Sequence, residues 1–301
     1  RLKKKGIKKF LASKTRCLGI NQNNLQCKRI TTNKYCFQHE KKKKFTFIDL
    51  FSGCGGFSLG LKKAGLKHIY GVDFWKIACE TYTKNIGFNI CENLNILQPI
   101  KLNMNVDVLV GSPPCTSFSL ANRRKTNNED GSLLYLCFIK YLKYYKPKVF
   151  VLENVIGLLS YRAKNGLKLI DSIIKDLSEF YHVKIIKVCC SDFGVPQKRK
   201  RVFITGVKKI FGLFFPDLKK YPCNKSLRHF LLPKEKVSKN YFLSTKAISG
   251  ILRRKKINLS KGNGFGVKYL NEDYFCNTIT ANYWKDGYSS LVKYNDREIR
   301  R

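Results

Sequence analysis

Acidic residues are scarce in this chain: 20 Asp and Glu stand against 59 Lys and Arg, a formal charge of +39. Such an imbalance points to a polyanionic partner. An AT-rich genome, which inflates Lys, Asn and Ile, explains part of the basic excess but not the shortage of acids. No run of about eighteen apolar residues is present, so no segment reads as a membrane span, and no signal-peptide pattern opens the chain. No strongly amphipathic basic helix is evident either, which favours nucleic acid over an anionic membrane as the partner. The twelve cysteines lack the regular spacing of a disulfide framework. Scattered through a long chain, they read as reduced thiols of an intracellular protein, in cytoplasm or nucleus. No obligatory protein partner is evident.

What is present organises itself in segments. Residues 1–44 are basic and poorly apolar, with Glu40 as the one acid, and end in the lysine run Lys41 to Lys44. From Phe45 the pattern alternates between buried-strand and helix signals. Strands are expected at Phe45 to Leu50, His68 to Val72, Val106 to Val110, Val149 to Glu153, Tyr181 to Cys189 and Arg201 to Val207. Helices are expected at Phe57 to Ala64, Lys76 to Asn85, Leu133 to Tyr145 and Leu167 to Phe180. This repetition predicts an α/β fold with a doubly wound, mostly parallel sheet covered on both faces. The division expected is 1–44, a basic Cys/His segment and linker; 45–207, a catalytic domain; 208–275, a smaller irregular, aromatic and basic lobe; and 276–301, a partial return to the first domain.

Two loops follow predicted strands, where open α/β sheets keep their ligands. The first is Phe51-Ser52-Gly53-Cys54-Gly55-Gly56, leading into a helix. Its glycines permit sharp turns and close approach of backbone N–H groups to a ligand. Its spacing is not the dinucleotide G-x-G-x-x-G. Asp73, about twenty residues on, is placed to accept hydrogen bonds from ribose hydroxyls. A nucleoside-type cofactor is the expectation, with a plain tight turn as the alternative. The second loop is Gly111-Ser112-Pro113-Pro114-Cys115-Thr116-Ser117-Phe118-Ser119. A cysteine behind two prolines, without a partner at metal or disulfide spacing, is either a nucleophile or an inert buried thiol.

Four motifs in order over Phe45 to Phe203 resemble those of the DNA (cytosine-5) methyltransferases. They are Asp49-Leu50-Phe51-Ser52-Gly53-Cys54-Gly55-Gly56, Pro113-Pro114-Cys115-x-x-Phe118-Ser119, Glu153-Asn154-Val155 and Gln197-Lys198-Arg199-Lys200-Arg201. The resemblance implies the S-adenosylmethionine-dependent methyltransferase fold. It also implies methyl transfer from S-adenosylmethionine to cytosine carbon-5 in double-stranded DNA after base flipping. Phe51, Ser52, Gly53, Gly55, Gly56, Asp73, Asn95, Ile96 and Pro113 would bind the cofactor: Phe51 on the adenine, Asp73 at the ribose, Asn95 and Ile96 flanking the ring. Cys115 would attack carbon-6 as a thiolate, and Glu153 would hold a proton at ring nitrogen-3. Arg199 and Arg201 would donate to the cytosine carbonyl, the DNA phosphates or Glu153.

Departures accompany the match. Thr116 stands where the family most often has Gln, and Asn95 where it has Asp. The stretches Asn277 to Tyr283 and Glu298 to Arg301 resemble the approach to the ninth motif. The chain then stops before the family's tenth, and it begins at Arg1, which predicts a fragment. The 208–275 region resembles the family's target-recognition region, with Gly262-Asn263-Gly264-Phe265-Gly266 as a backbone loop able to approach the major groove and Arg253, Arg254, Lys255 and Lys256 suited to phosphates. Cys17, Cys27, Cys36 and His39 resemble small knuckles of large DNA virus proteins, and one structural zinc would let so polar a segment fold. Two other functions compete: a tRNA cytosine-5 methyltransferase, and a truncated, inactive relative that binds DNA.

Overall fold

The computed structural model describes residues 15–16, 30–31, 44–94, 97–114, 130–162, 166–262, 267–279 and 290–300. The chain divides into two compact units, Arg1–Phe45 and Thr46–Arg301. In the first, β1 (Thr15–Arg16) pairs antiparallel with β2 (Ile30–Thr31). Cys17, Cys27, Cys36 and His39 lie outside the described residues.

The second unit opens with β3 (Thr46–Leu50), α1 (Gly56–Lys63), β4 (Lys67–Asp73), α2 (Lys76–Asn85) and β5 (Asn89–Cys91). It continues with β6 (Val108–Gly111), α3 (Asp130–Tyr145), β7 (Val149–Val155), α4 (Leu169–Ser178), β8 (Tyr181–Cys189), β9 (Gln197–Lys198) and β10 (Lys200–Lys208). Then come α5 (Thr245–Ser260), β11 (Cys276–Asn277), β12 (Val292–Lys293) and β13 (Ile299–Arg300).

Seven strands form one sheet in the order β5-β4-β3-β6-β7-β10-β8. The strands from β5 to β7 run parallel, and β10 is antiparallel to both neighbours. Burial explains why β3 reads as a nearly continuous apolar run, since both its faces are covered. Ile48 and Leu50 join the main core with Phe138, Tyr141 and Leu142 of α3 and Ile170, Ile173 and Leu177 of α4. Phe47 and Asp49 point the other way: Phe47 meets the ring of His68, and Asp49 meets Ser58 of α1. The stripe at 170, 173 and 177 gives α4 its one buried face. The sheet order reverses between β3 and β6, which sets a crevice beyond their carboxyl ends.

The region after Val207 differs from the irregular lobe that its pattern suggests, because it holds the sixteen-residue helix α5. Ser244 caps it, accepting from Ala247 N at 3.3 Å. Ile248 and Ile251 bury against Val267, Leu291 and Ile299, while Leu252, Ile257 and Leu259 are exposed. Apolar residues spread around the helix blur its periodicity, and this is why the sequence shows no basic helix here. Arg253, Arg254 and Lys256 lie exposed on α5. Among the described residues, no helix is long and apolar enough to cross a membrane.

Candidate active site

The glycine loop leaves β3 through three left-handed residues, Phe51 (φ 56°), Gly53 (φ 51°) and Gly55 (φ 92°). That conformation suits glycine and strains Phe51, so the surroundings must hold it. Ser52 N donates to Val72 O at 3.0 Å, and Asn89 Nδ2 donates to Ser52 Oγ at 2.9 Å. Gly53 N donates to Asp73 Oδ2 at 2.9 Å, and Trp75 N donates to Asp73 Oδ1 at the same distance. Each Asp73 oxygen thus has one backbone partner that orients it and a further lone pair to offer. Among the described residues, a side chain added at Gly53 or Gly56 would meet no atom within 4 Å, so the loop borders open space there. Phe51 is half-buried against the main core, whereas Phe74, next to Asp73, is exposed. Asn95 and Ile96 lie outside the described residues.

Across the crevice, the antiparallel register of β7 with β10 sets Glu153 opposite Phe203 and Val155 opposite Arg201. Glu153 and Arg201 are therefore diagonal neighbours on one face, within reach of long side chains. Arg201 Nε sits 2.8 Å from Glu153 Oε1, with both side chains largely covered (16% and 24% exposed). Burial pushes the Glu153 carboxyl above the usual carboxylate range, against the opposing pull of Arg201 and Arg199. Asn154 points to the other face and is buried. Its Nδ2 donates to Pro113 O at 3.4 Å, and its Oδ1 accepts from Val155 N at 2.8 Å. Ser112 N donates to Leu50 O at 3.1 Å, tying the same loop to β3. Cys115 and Thr116 lie outside the described residues.

The sequence between Gln197 and Arg201 is also held from the far end of the chain. β9 pairs in parallel with β11, and Thr278 Oγ1 donates to Lys198 O at 3.0 Å. A separate cavity of about 420 Å³ is lined by Leu142, Phe180, Tyr181 and Lys208. It lies at the amino ends of the parallel strands and shares no residue with this crevice.

The sequence profile of the C-5 cytosine-specific DNA methylases matches residues 45–300. The chain belongs to that family. It is 30% identical over 268 residues to the Type II methyltransferase M1.ScrFI of Lactococcus lactis subsp. cremoris, covering 88% of this chain and 68% of that relative. It is 31% identical over 245 residues to the Type II methyltransferase M.HpaII of Haemophilus parainfluenzae, covering 80% of this chain and 67% of the other. Among solved structures, a prophage-encoded DNA modification methyltransferase of E. coli superposes with a TM-score of 0.62 at 22% identity, covering 85% of this chain and 86% of that one. The fold is therefore the S-adenosylmethionine-dependent methyltransferase fold, and this family member is an enzyme, a DNA (cytosine-5) methyltransferase.

In this methylase the structure brings Glu153, Arg201 and Arg199 together, joins Asn154 to Pro113, and gathers Phe51 to Gly56 around Asp73. Sequence reasoning missed Ser58, Tyr82 and Asn89, which support the loop from beneath. Their partners are distant in sequence, so no local signal marks them. It also missed the exposed Phe74, whose only sequence signal is its position after Asp73. Among the described residues, no group of three or more His, Cys, Asp and Glu side chains is arranged to hold a metal ion.

Proposed function

We propose that this chain methylates carbon-5 of cytosine in double-stranded DNA with Cys115 as the nucleophile. The observation that carries the reading is the half-buried Glu153, bound to Arg201 beside an asparagine that ties the cysteine loop to β7. The cysteine thiolate attacks carbon-6 of the flipped base, forming a carbon–sulfur bond and pushing the ring electrons toward carbon-5. Glu153, its carboxyl raised by burial, holds a proton at nitrogen-3 and draws charge from carbon-6. Arg201 fixes the carboxyl's orientation, and Arg199 adds positive charge nearby. Once carbon-5 has used that electron pair to take the methyl group, loss of its proton to a base expels the thiolate from carbon-6 and restores the ring.

The residues present fit S-adenosylmethionine. Asp73 offers acceptor oxygens to ribose hydroxyls, and the space beside Gly53 and Gly56 admits a ligand against the loop. Phe51, Ser52, Gly55, Asn95, Ile96 and Pro113 complete the proposed set, and the exposed Phe74 ring adds a flat apolar surface for the adenine. When bound, the cofactor supplies an electrophilic methyl group on a sulfonium. Residues 45–207 form the catalytic domain in this reading, 208–275 the recognition lobe, and 276–301 the return to the catalytic domain, a division supported by β11 pairing with β9. The basic side chains of α5 contact DNA phosphates.

Labelled methyl transfer tests the reading. Duplex DNA is expected to take up label from the wild-type chain and none from Cys115→Ala, with tRNA at background. Equal labelling by the two proteins would overturn it. In the first unit, Cys17, Cys27, Cys36 and His39 are proposed to hold one zinc, since β1 ends just before Cys17 and β2 begins soon after Cys27. Metal analysis of the purified chain should find zinc, and its loss in Cys36→Ser; absence from both overturns this part.

A further inference from the structure

The cofactor loop is fastened from beneath by a buried chain of hydrogen bonds. Ser58 Oγ donates to Asp49 Oδ2 at 2.6 Å, bridging the last residues of β3 to the first turn of α1. The two partners stand on either side of residues 50–57, so this bond closes the loop at its base. Ser58 Oγ also lies 2.6 Å from the hydroxyl of Tyr82, which lies 2.9 Å from His68 Nε2. Each hydroxyl has one proton to give. With Ser58 donating to Asp49, Tyr82 donates to Ser58, and His68 Nε2–H donates to Tyr82. His68 is neutral over most of the working range, because burial and nearby Lys62 bring its ring down to about 4.

Tyr82 also shapes the loop sterically. It is fully buried. A side chain at Gly55 would stand 3.0 Å from its ring and 2.5 Å from Ile86, and one at Gly71 would stand 2.5 Å from its ring. Gly55 is thus required from below, by Ile86 and by the Tyr82 ring. The left-handed backbone at Gly55 leaves no room for a side chain, because Ile86 and the Tyr82 ring fill the space beneath it.

We propose that Tyr82 is a positioning residue for the cofactor loop: its hydroxyl holds Ser58 against Asp49, and its ring supports Gly55, keeping residues 51–56 in the form that receives the cofactor. The inference rests on the reading of this loop as the S-adenosylmethionine site. Tyr82 touches neither reacting atom, so its loss should appear in cofactor affinity before turnover.

The test compares the full wild-type chain with Tyr82→Phe, Ser58→Ala and Tyr181→Phe by calorimetric binding of S-adenosylmethionine and by thermal unfolding. Tyr181 is the matched control: it is buried, its hydroxyl donates to Pro147 O at 2.9 Å, and it lies at the opposite end of the sheet. Loss of one buried hydrogen bond should weaken binding about tenfold in Tyr82→Phe and Ser58→Ala, and less than about twofold in Tyr181→Phe. In turnover, Tyr82→Phe should raise the KM for the cofactor with kcat within about threefold. Should Tyr82→Phe fail to fold, Ser58→Ala decides alone. Wild-type affinity in the two loop variants, or equal weakening in the control, would overturn the proposal. No binding by the wild-type chain would instead overturn the cofactor reading, and this inference with it.

Discussion

On the β3–β4 side of the crevice, the loop from Phe51 to Gly56 is held by backbone N–H groups, hydroxyls and an amide. On the β7–β10 side, Glu153 is held by Arg201 at 2.8 Å with Arg199 nearby. Both sides lie at strand ends of one sheet, yet the interactions differ in kind. The loop side depends on shape: the left-handed Gly55 rests on Ile86 and the Tyr82 ring. The Glu153 side depends on charge in a partly desolvated place, where removing one partner leaves the other costly. Damage on the first side should therefore appear as lost cofactor affinity, and damage on the second as lost rate and altered pH response.

The strongest way to break this contrast is Glu153→Gln. It should lower kcat by about 10²- to 10⁴-fold while leaving S-adenosylmethionine affinity within about twofold. Arg201→Ala sharpens the same point through pH. The arginine pulls the Glu153 carboxyl down, so its removal lets that carboxyl rise further. If the protonated form is the working one, the alkaline limb of the rate profile moves to higher pH in the variant; an unmoved limb contradicts the assignment. Asp73→Ala tests the other side. It removes the acceptor of two backbone N–H bonds and should weaken cofactor binding by about 10- to 100-fold, with a smaller change in kcat.

Asp49, at the base of the loop, gives an effect read in stability. Burial raises its carboxyl to about 7, with Asp73 adding to the rise and Ser58 opposing it. The folded protein then binds that proton more tightly than the unfolded chain. Its stabilising contribution is full below pH 4 and is lost as pH rises toward 7. Between pH 5 and pH 8 the wild type should lose about 2–3 kcal/mol relative to Asp49→Asn in denaturant unfolding. A constant difference between the two proteins would show that Asp49 is not buried as an acid.

The sequence makes some of this plain and hides the rest for physical reasons. The buried strand Thr46–Leu50 announces itself through its apolar run, and the glycine loop through its composition. The short strand Asn89–Cys91 does not, being three residues with one strong strand former, Ile90, that are recruited by β4. Helix α5 is hidden by apolar residues that fall on more than one side. Glu153 and Arg201 are each visible in a motif, but their contact follows from the β7–β10 register. The Asp49–Ser58–Tyr82–His68 chain joins four elements, and only the folded sheet assembles it.

The central claim is that Cys115 is the nucleophile and works with Glu153 and Arg201. Duplex DNA carrying 5-fluorocytosine tests it most directly, because fluorine at carbon-5 cannot leave as a proton does and the adduct should persist. With S-adenosylmethionine present, the wild-type chain should form a denaturation-resistant complex whose cross-linked peptide contains Cys115. Glu153→Gln should form it far more slowly, and Cys115→Ala should form none. A complex that survives in Cys115→Ala, or a cross-link mapped to another cysteine, would contradict the account.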